Sequence, residues 1–500
     1  MKYIDYIQLN PFQRMWYKIK CFFINLPANF VRFFKFLGCK IAAFFCAIGR
    51  GFKNYGVGFV KGDWSTKISY VIMGFGNIAK GQIIKGLLFL AMEVGYICFM
   101  VFFAWNNYLS KIFTLGTVAQ VREMDYATGV EVVRAGDNSM LILLYSVMAI
   151  FVTAIFFAMY ITNIKSSLKL QELKKQGKKP MTFIEDVKAL LDNRYHVTLL
   201  SVPTILVCTF TVLPLVFMIL IAFTNYDGAH QPPAKLFEWV GFGNFADVFF
   251  DEPRKALTFQ NLVVWTLIWA VLATVTNYIL GMIFALMINK KGIRFKSFYR
   301  TMFVMTIAVP QFVTLLLMSQ MLADSGVFNV LLRELGFIGQ QDYVRFLTDP
   351  WLAKITVVVV NMWIGIPYTI LITSGILMNI PEELYESARI DGAGPVVTFF
   401  KITMPYMLFV TTPYLIQQFI GNINNFNVIF FLTGGGPQNN NYYNAGDTDL
   451  LVTWLYKLTM DRNDYNLAAT IGILVFIICA AVSLITYNST KSAKSEEEFS

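Results

Sequence analysis

Eight mostly apolar stretches limit what this chain can fold into, each about as long as the ~20 residues a helix needs to cross a bilayer. They lie near residues 83–105, 139–163, 197–224, 261–288, 301–322, 352–378, 404–432 and 467–487. In hydrocarbon every backbone N–H and C=O has to be paired within the protein, so such stretches read as transmembrane helices. Only 14% of the 500 residues are charged, whereas 56% are A, V, I, L, M, F, W, Y or C, with 47 Phe. An average globular domain carries ~25% charged residues. A soluble fold of this length would lack the charge to cover its surface. The expected fold class is an all-α integral membrane protein of about eight transmembrane helices. Pro203 and Pro214 in the third stretch and Pro413 in the seventh predict kinks or tilt.

Charge sets the expected orientation. With a cytoplasmic N-terminus, 30 of the 41 Lys and Arg fall on cytoplasmic segments, and positive residues favour that side. The expected location is the cell membrane, multi-pass, with N- and C-termini cytoplasmic. In the first 60 residues Phe22, Phe23, Phe30, Phe33, Phe34, Phe36, Phe44 and Phe45 interleave with Arg32, Lys35, Lys40 and Arg50. That mixture suits amphipathic helices lying among lipid headgroups, and a ninth span over 21–48 would carry charges at about 2.5–3.5 kcal/mol each. The chain divides into an interfacial N-terminal region (1–82), two peripheral spans with a basic linker (83–196), a six-span core (197–487) and a polar, disordered tail (488–500).

Several functions are set aside. The net charge of +10 is dispersed between apolar blocks, which argues against a nucleic-acid face. Cys21, Cys39, Cys46, Cys98, Cys208 and Cys479 form no CxxC, and His196 and His230 are the only histidines, so no metal site is expected. There is no GxxxxGK[ST], so the chain should not bind ATP through a phosphate loop, and Gly434-Gly435-Gly436-Pro437 reads as a helix stop. There is no GxSxG or HExxH either. The pattern is that of a transporter part and not of an enzyme. A self-contained secondary carrier would need ionisable groups within the spans, where only Glu93 stands out; that residue also suits a partner on a peripheral helix.

The segment between the sixth and seventh spans is the most informative. A helix can start after Pro381, with Glu382 and Glu383 favourable in its first turn. Glu386 and Arg389 are spaced to pair on one face. Gly392 permits a turn, and Pro405 opens the next span. An ordinary interhelical loop and a rigid knob for a cytoplasmic partner both fit this pattern. Glu386-Ser387-Ala388, then Gly392, then Ile402 and Met404-Pro405 resembles the EAA signature of ABC importer permeases, E-A-A-x3-G-x9-I-x-L-P, with Ser387 for Ala and Met404 for Leu. The likeness extends to the MalF-type permeases of maltose/maltodextrin importers. Asn361-Met-Trp-Ile-Gly-Ile-Pro-Tyr368, Asn422-Ile-Asn-Asn-Phe426, Leu432-Thr-Gly-Gly-Gly-Pro437 and Ala445-Gly-Asp-Thr-Asp-Leu-Leu451 look like motifs of that family.

The seventh stretch is crowded with Gln417, Gln418, Asn422, Asn424, Asn425 and Asn427. Amides offer donors and acceptors for sugar hydroxyls, or for bonds between helices. Trp363, Tyr368, Phe419 and Phe426 could cover apolar sugar faces.

The resemblance implies a type I ABC importer permease core that moves malto-oligosaccharides by alternating access. A related permease for galacto- or xylo-oligosaccharides is the alternative. Implied substrate residues are Gly365, Tyr368, Gln418, Asn422 and Asn425, Gln418 by spacing alone. Implied coupling residues, in the loop 380–405, are Glu386, Ser387, Ala388, Arg389, Asp391, Gly392, Ile402 and Pro405. Implied partners are a second, MalG-like permease subunit, two copies of an ATPase that bind the ATP, and an extracytoplasmic sugar-binding protein. No cofactor of its own is implied.

Overall fold

The computed structural model describes residues 55–125, 130–193, 195–290 and 292–489, with scattered positions between 35 and 53. The aromatic run Phe22–Phe34 and the tail from 490 lie outside the described residues. Two compact units are resolved. One comprises residues 1–106 with 148–206, and the other 107–147 with 207–500.

In the first unit, described positions between 35 and 61 are helical. A short helix α1 (Trp64–Ile68) follows, capped by Asp63, whose Oδ1 accepts from Thr66 N at 2.8 Å. The first span holds α2 (Ile83–Cys98) and continues through a π-helical turn, Phe99–Ala104. Glu93, inside this span, accepts a hydrogen bond from Met73 N at 2.8 Å, so its partner is the chain just before the span. The connection that follows belongs to the second unit, where a hairpin of β1 (Val121–Asp125) and β2 (Val130–Arg134) pairs Val121 with Arg134 and Asp125 with Val130. The hairpin is a local addition to the expected all-α membrane fold, in a connection between two spans. The second span, α3 (Ser139–Lys175), overruns its expected end by a dozen residues.

Near its end, α3 meets the segment before α2 in a buried polar cluster. Lys80 Nζ donates to Asp63 Oδ1 (3.1 Å), Thr66 Oγ1 (2.5 Å) and Ser167 O (3.2 Å), while Asn163 bonds Gly74 N and Ser69 O. Burial pushes the Asp63 carboxyl up, but hydrogen bonds from Thr66 and the Lys80 ammonium outweigh it and hold the pKa at about 2.

The third span is α4 (Tyr195–Val207), a π-helical turn Cys208–Val212, then α5 (Leu213–Ile221). Pro214 lies inside a continuous helical run, Tyr195–Ile221, and the π-helical turn just before it accommodates the N–H that proline lacks. The fourth is α6 (Pro253–Asn289).

The fifth expected span, 301–322, is not one helix. α7 (Lys296–Ala308) and α8 (Gln311–Met321) meet at 86°. Pro310 forces Val309 to extended angles, φ −78° and ψ 126°, and cannot donate to the α7 ladder.

The sixth span is α9 (Pro350–Leu377), followed by α10 (Glu382–Ile390). The seventh expected stretch, 404–432, is also corrected. It splits into α11 (Met404–Ile423) and α12 (Phe426–Thr433), because Asn425 Oδ1 caps α12 at Val428 N (3.2 Å). α13 (Leu451–Lys457) and α14 (Tyr465–Ser489) complete the chain.

Among the described residues, length and composition therefore allow seven crossing helices, or eight if the bent α7–α8 pair counts as one. The second unit is built on α6 and α9. Gly281 of α6 lies against Thr369 of α9, and Gly365 of α9 lies against Asn277 of α6. In lipid, helices gain from such close packing of small residues.

Candidate functional site

A cavity of about 480 Å³ lies near the middle of α6 and α9, closed by the α7–α8 bend and by α11. That volume is in the range of small-molecule sites. Gly365, Tyr368, Gln418, Asn422 and Asn425 all line it. The seventh stretch does not present its amides as one set, however. Gln418, Asn422 and Asn425 reach the cavity; Asn427 bonds Gln311 at 3.2 Å, and Asn424 bonds Ile420 O at 3.2 Å. Of the aromatic candidates, Trp363 and Tyr368 line the cavity. Phe419 packs on the core, and Phe426 stacks on Phe430 with ring centres 4.7 Å apart.

The amides are held in place by the fold. Asn422 Nδ2 donates to Thr274 Oγ1 of α6 at 3.0 Å, and Asn422 O accepts from Trp269 Nε1 at 3.1 Å. Helix–helix bonding and cavity lining thus coincide at one residue. Sequence reasoning missed Asn277, Thr306, Gln311, Thr314, Asn361 and Tyr414, which also line the cavity. Asn277 Oδ1 and Asn361 Nδ2 are buried without a partner. A signal existed for both, since a polar amide inside an apolar span faces the bundle interior.

At one end of this unit, α10 is built as a rigid knob. Gly392 has φ +75°, a region that only glycine enters cheaply. Ala393 N donates to Ala388 O (2.8 Å) and Gly392 N to Arg389 O (3.0 Å), closing the helix in a Schellman motif. Ala388 is buried; Glu386, Ser387, Arg389, Asp391 and Pro405 are exposed, and Ile402 is half-buried. The expected Glu386–Arg389 pair is not formed among the described residues; each side chain lies free on an exposed face where such a pair gains little. Tyr385 Oη and Thr403 Oγ1 are 3.1 Å apart, which ties α10 to the π-helical turn Phe399–Thr403 leading into α11. Tyr385 and Phe399 pack on the cluster of Tyr278, Met282, Ile380 and Met407, joining the knob to α6 and α11.

At the other end the connections interlock. Gln120 N donates to Pro233 O (3.1 Å), Trp239 Nε1 to Ile112 O (2.8 Å) and Asn466 N to Tyr226 O (3.0 Å). Lys457 Nζ and Asp449 Oδ2 form a buried ion pair at 2.6 Å, and Gly446 N donates to the same oxygen at 2.7 Å. Burial pushes the Asp449 carboxyl above its ordinary value, and the Lys457 ammonium pulls against that shift.

A bundle of membrane-crossing helices with a polar cavity midway and a rigid capped helix at one end defines a transport permease, not an enzyme. Residues 277–493 match the family described as binding-protein-dependent transport system inner membrane component. The galactooligosaccharides transport system permease protein GanP of Bacillus subtilis (strain 168) is 35% identical over 432 residues, 85% of this chain and 97% of that protein. The maltodextrin transport system permease protein MdxF of the same strain is 35% identical over 434 residues, 85% of this chain and 95% of that protein. The maltose/maltodextrin permease MalF of Klebsiella aerogenes is 34% identical over 257 residues, 50% of this chain and 49% of that protein. A chain of a bacterial ABC transporter involved in alginate import superposes with a TM-score of 0.47 and 22% identity, over 61% of this chain and 97% of its own. The chain belongs to the binding-protein-dependent transport system inner membrane component family, as a multi-pass permease subunit of an ABC importer. Such a permease works with a second permease, an ATPase and a binding protein.

Proposed function

We propose that this permease carries malto-oligosaccharides into the cell, paired with one MalG-like subunit and driven by two copies of an ATPase that bind ATP. The observation that carries the reading is the convergence of Gly365, Tyr368, Gln418, Asn422 and Asn425 on one cavity with Trp363 beside them. Amides match hydroxyls, and aromatic faces match the apolar side of a pyranose. Asn422 is already bonded to Thr274, so a sugar there exchanges one hydrogen bond for another. Its net gain is ~1 kcal/mol, which favours selectivity over affinity.

In this reading the N- and C-termini and α10 are cytoplasmic. The sugar-binding protein delivers substrate at the opposite, interlocked end. ATP-driven closure of the ATPases moves α10, and the packing around Tyr385 and Met407 passes that motion to α6 and α11. The middle of α6 carries Asn277 and the last turn of α11 carries Asn422, so the cavity wall changes shape as the bundle alternates between two states.

The test is ATPase stimulation in the reconstituted complex. Stimulation by maltotriose, lost in Asn422→Ala and in Glu386→Lys, supports both the sugar and the two sites. The GanP relative favours one second reading, a galacto-oligosaccharide cargo. Stimulation by that sugar alone would replace the first. No response to any oligosaccharide, in a complex that assembles, would remove the carbohydrate reading.

A further inference from the structure

A second concavity, of about 500 Å³, runs between α6 and α9 on the side of the interlocked connections. Val264, Ile268 and Leu272 of α6 and Ile355, Val359 and Met362 of α9 step along it at one-turn intervals. The first five are largely exposed. At its mouth Lys354 Nζ lies 5.1 Å from the centre of the Trp265 ring and 5.5 Å from that of Trp351. Lys354 has no ion-pair partner among the described residues. The other charged group on the wall, Asp447, accepts from Asn439 Nδ2 at 3.0 Å.

Depth follows from length. α6 has 37 residues and α9 has 28, roughly 55 and 42 Å at 1.5 Å per residue. Both exceed a hydrocarbon core of ~30 Å, so the first turn of α9, with Lys354, stands at the headgroup level. Trp and Lys are the side chains that settle there. The apolar rows below them descend into the acyl region.

We propose that this groove holds a membrane phospholipid, with its phosphate on Lys354 between the two indole rings and one acyl chain along the α6–α9 furrow. Apart from Lys354, Asp447, Asn261 and Tyr442 the lining is hydrocarbon and indole, which fits an amphiphile and not a sugar. A packed apolar helix would bury Lys354, which forms no ion pair among the described residues, whereas a phosphodiester gives it a partner. The site is separate from the amide-lined cavity and does not depend on which sugar is carried.

The test uses the assembled importer in nanodiscs of phosphatidylglycerol and phosphatidylethanolamine, doped with a phospholipid carrying a photoreactive acyl chain. Crosslinks should map to the peptides around Ile268 and Ile355. Lys354→Glu should lower their yield at least fivefold, Lys354→Arg should keep it, and Ile268→Trp, which fills the furrow, should abolish it without dissociating the complex. Equal yield from both lipids assigns recognition to the shared phosphate; yield from phosphatidylethanolamine alone that is lost in Asp447→Asn assigns an added ammonium contact. Labelling unchanged by Lys354→Glu and Ile268→Trp would overturn the site. So would a photocrosslinker at position 355 that captures the second permease subunit instead of lipid.

Discussion

Gly365 does its work by lacking a side chain. A Cβ there would collide with the carboxamide of Asn277 across the α6–α9 contact. Gly365→Ala should therefore push Asn277 into the cavity or part the helices, at ~1–3 kcal/mol for overpacking. We expect at least a tenfold loss of sugar uptake in proteoliposomes, with a lower melting temperature; uptake equal to the parent would show that Asn277 does not help shape the pathway. The motif around Gly365 was legible in the sequence, but its partner was not, because α6 carries Asn277 without any local signature. Asn424 and Asn425 make the same point, since neighbours of one residue type go to an outer surface and a helix cap. A second residue-scale prediction concerns Asp63, whose pKa of about 2 lies below the ordinary 3.8. That stabilisation is present in full above pH 3.8 and is lost as pH falls toward 2. Its side chain is 35% exposed, so about 1 kcal/mol is a fair size after screening. The melting deficit of Asp63→Asn should be equal at pH 7 and pH 5 and shrink only below pH 4.

Among the elements, α10 shows how a signature becomes a mechanical part. The glycine of the EAA pattern is the C′ residue of a Schellman motif, and its φ of +75° explains why glycine stands there. Gly392→Val should cost ~1–2 kcal/mol locally, the penalty for a side chain in the left-handed region. It should leave binding-protein docking unchanged while uncoupling ATP hydrolysis from uptake; a variant with the parental ratio of ATP hydrolysed to sugar imported would contradict the transmission through α10. The α7–α8 pair teaches a limit. Apolar length alone cannot separate one straight span from two helices at 86°, and the deciding residue, Pro310, lies inside an otherwise ordinary apolar run. Straightening the pair by Pro310→Leu would supply the N–H that Pro310 lacks, move Val313 N from the carbonyl of residue 310 to that of Val309, and withdraw Gln311 and Thr314 from the cavity. Weaker sugar-stimulated ATPase at saturating binding protein is the expected result. The hairpin Val121–Arg134 escaped the sequence because its two strands, five residues each, fall between spans where no long period is present.

For the molecule as a whole, membrane class and span number follow from bulk properties, which is why they could be read from composition, whereas the sides of the membrane follow from how the connections group. In the second unit, residues 107–139, 222–252 and 434–466 bond to one another, while Arg300 joins Asn289 and Met378 at the end that bears α10. Charge does not sort the second unit's own connections, which carry 9 Lys and Arg in 289–300, 379–402 and 488–500 against 11 on the opposite side, so the expected 30 of 41 on the cytoplasmic side draws 21 from the first unit. The consequence is measurable with membrane-impermeant maleimide on a cysteine-free background. Glu131→Cys, on the hairpin, should be labelled in right-side-out vesicles and protected in inside-out ones. Glu386→Cys should behave the opposite way, and cysteines placed at either terminus should follow Glu386→Cys. Labelling of positions 131 and 386 from one side would break the eight-span count, because an odd number of crossings has to separate them. If that count held but the termini labelled with position 131, the fault would lie within the first 80 residues or the last span. The α10 knob would then still face the ATPases.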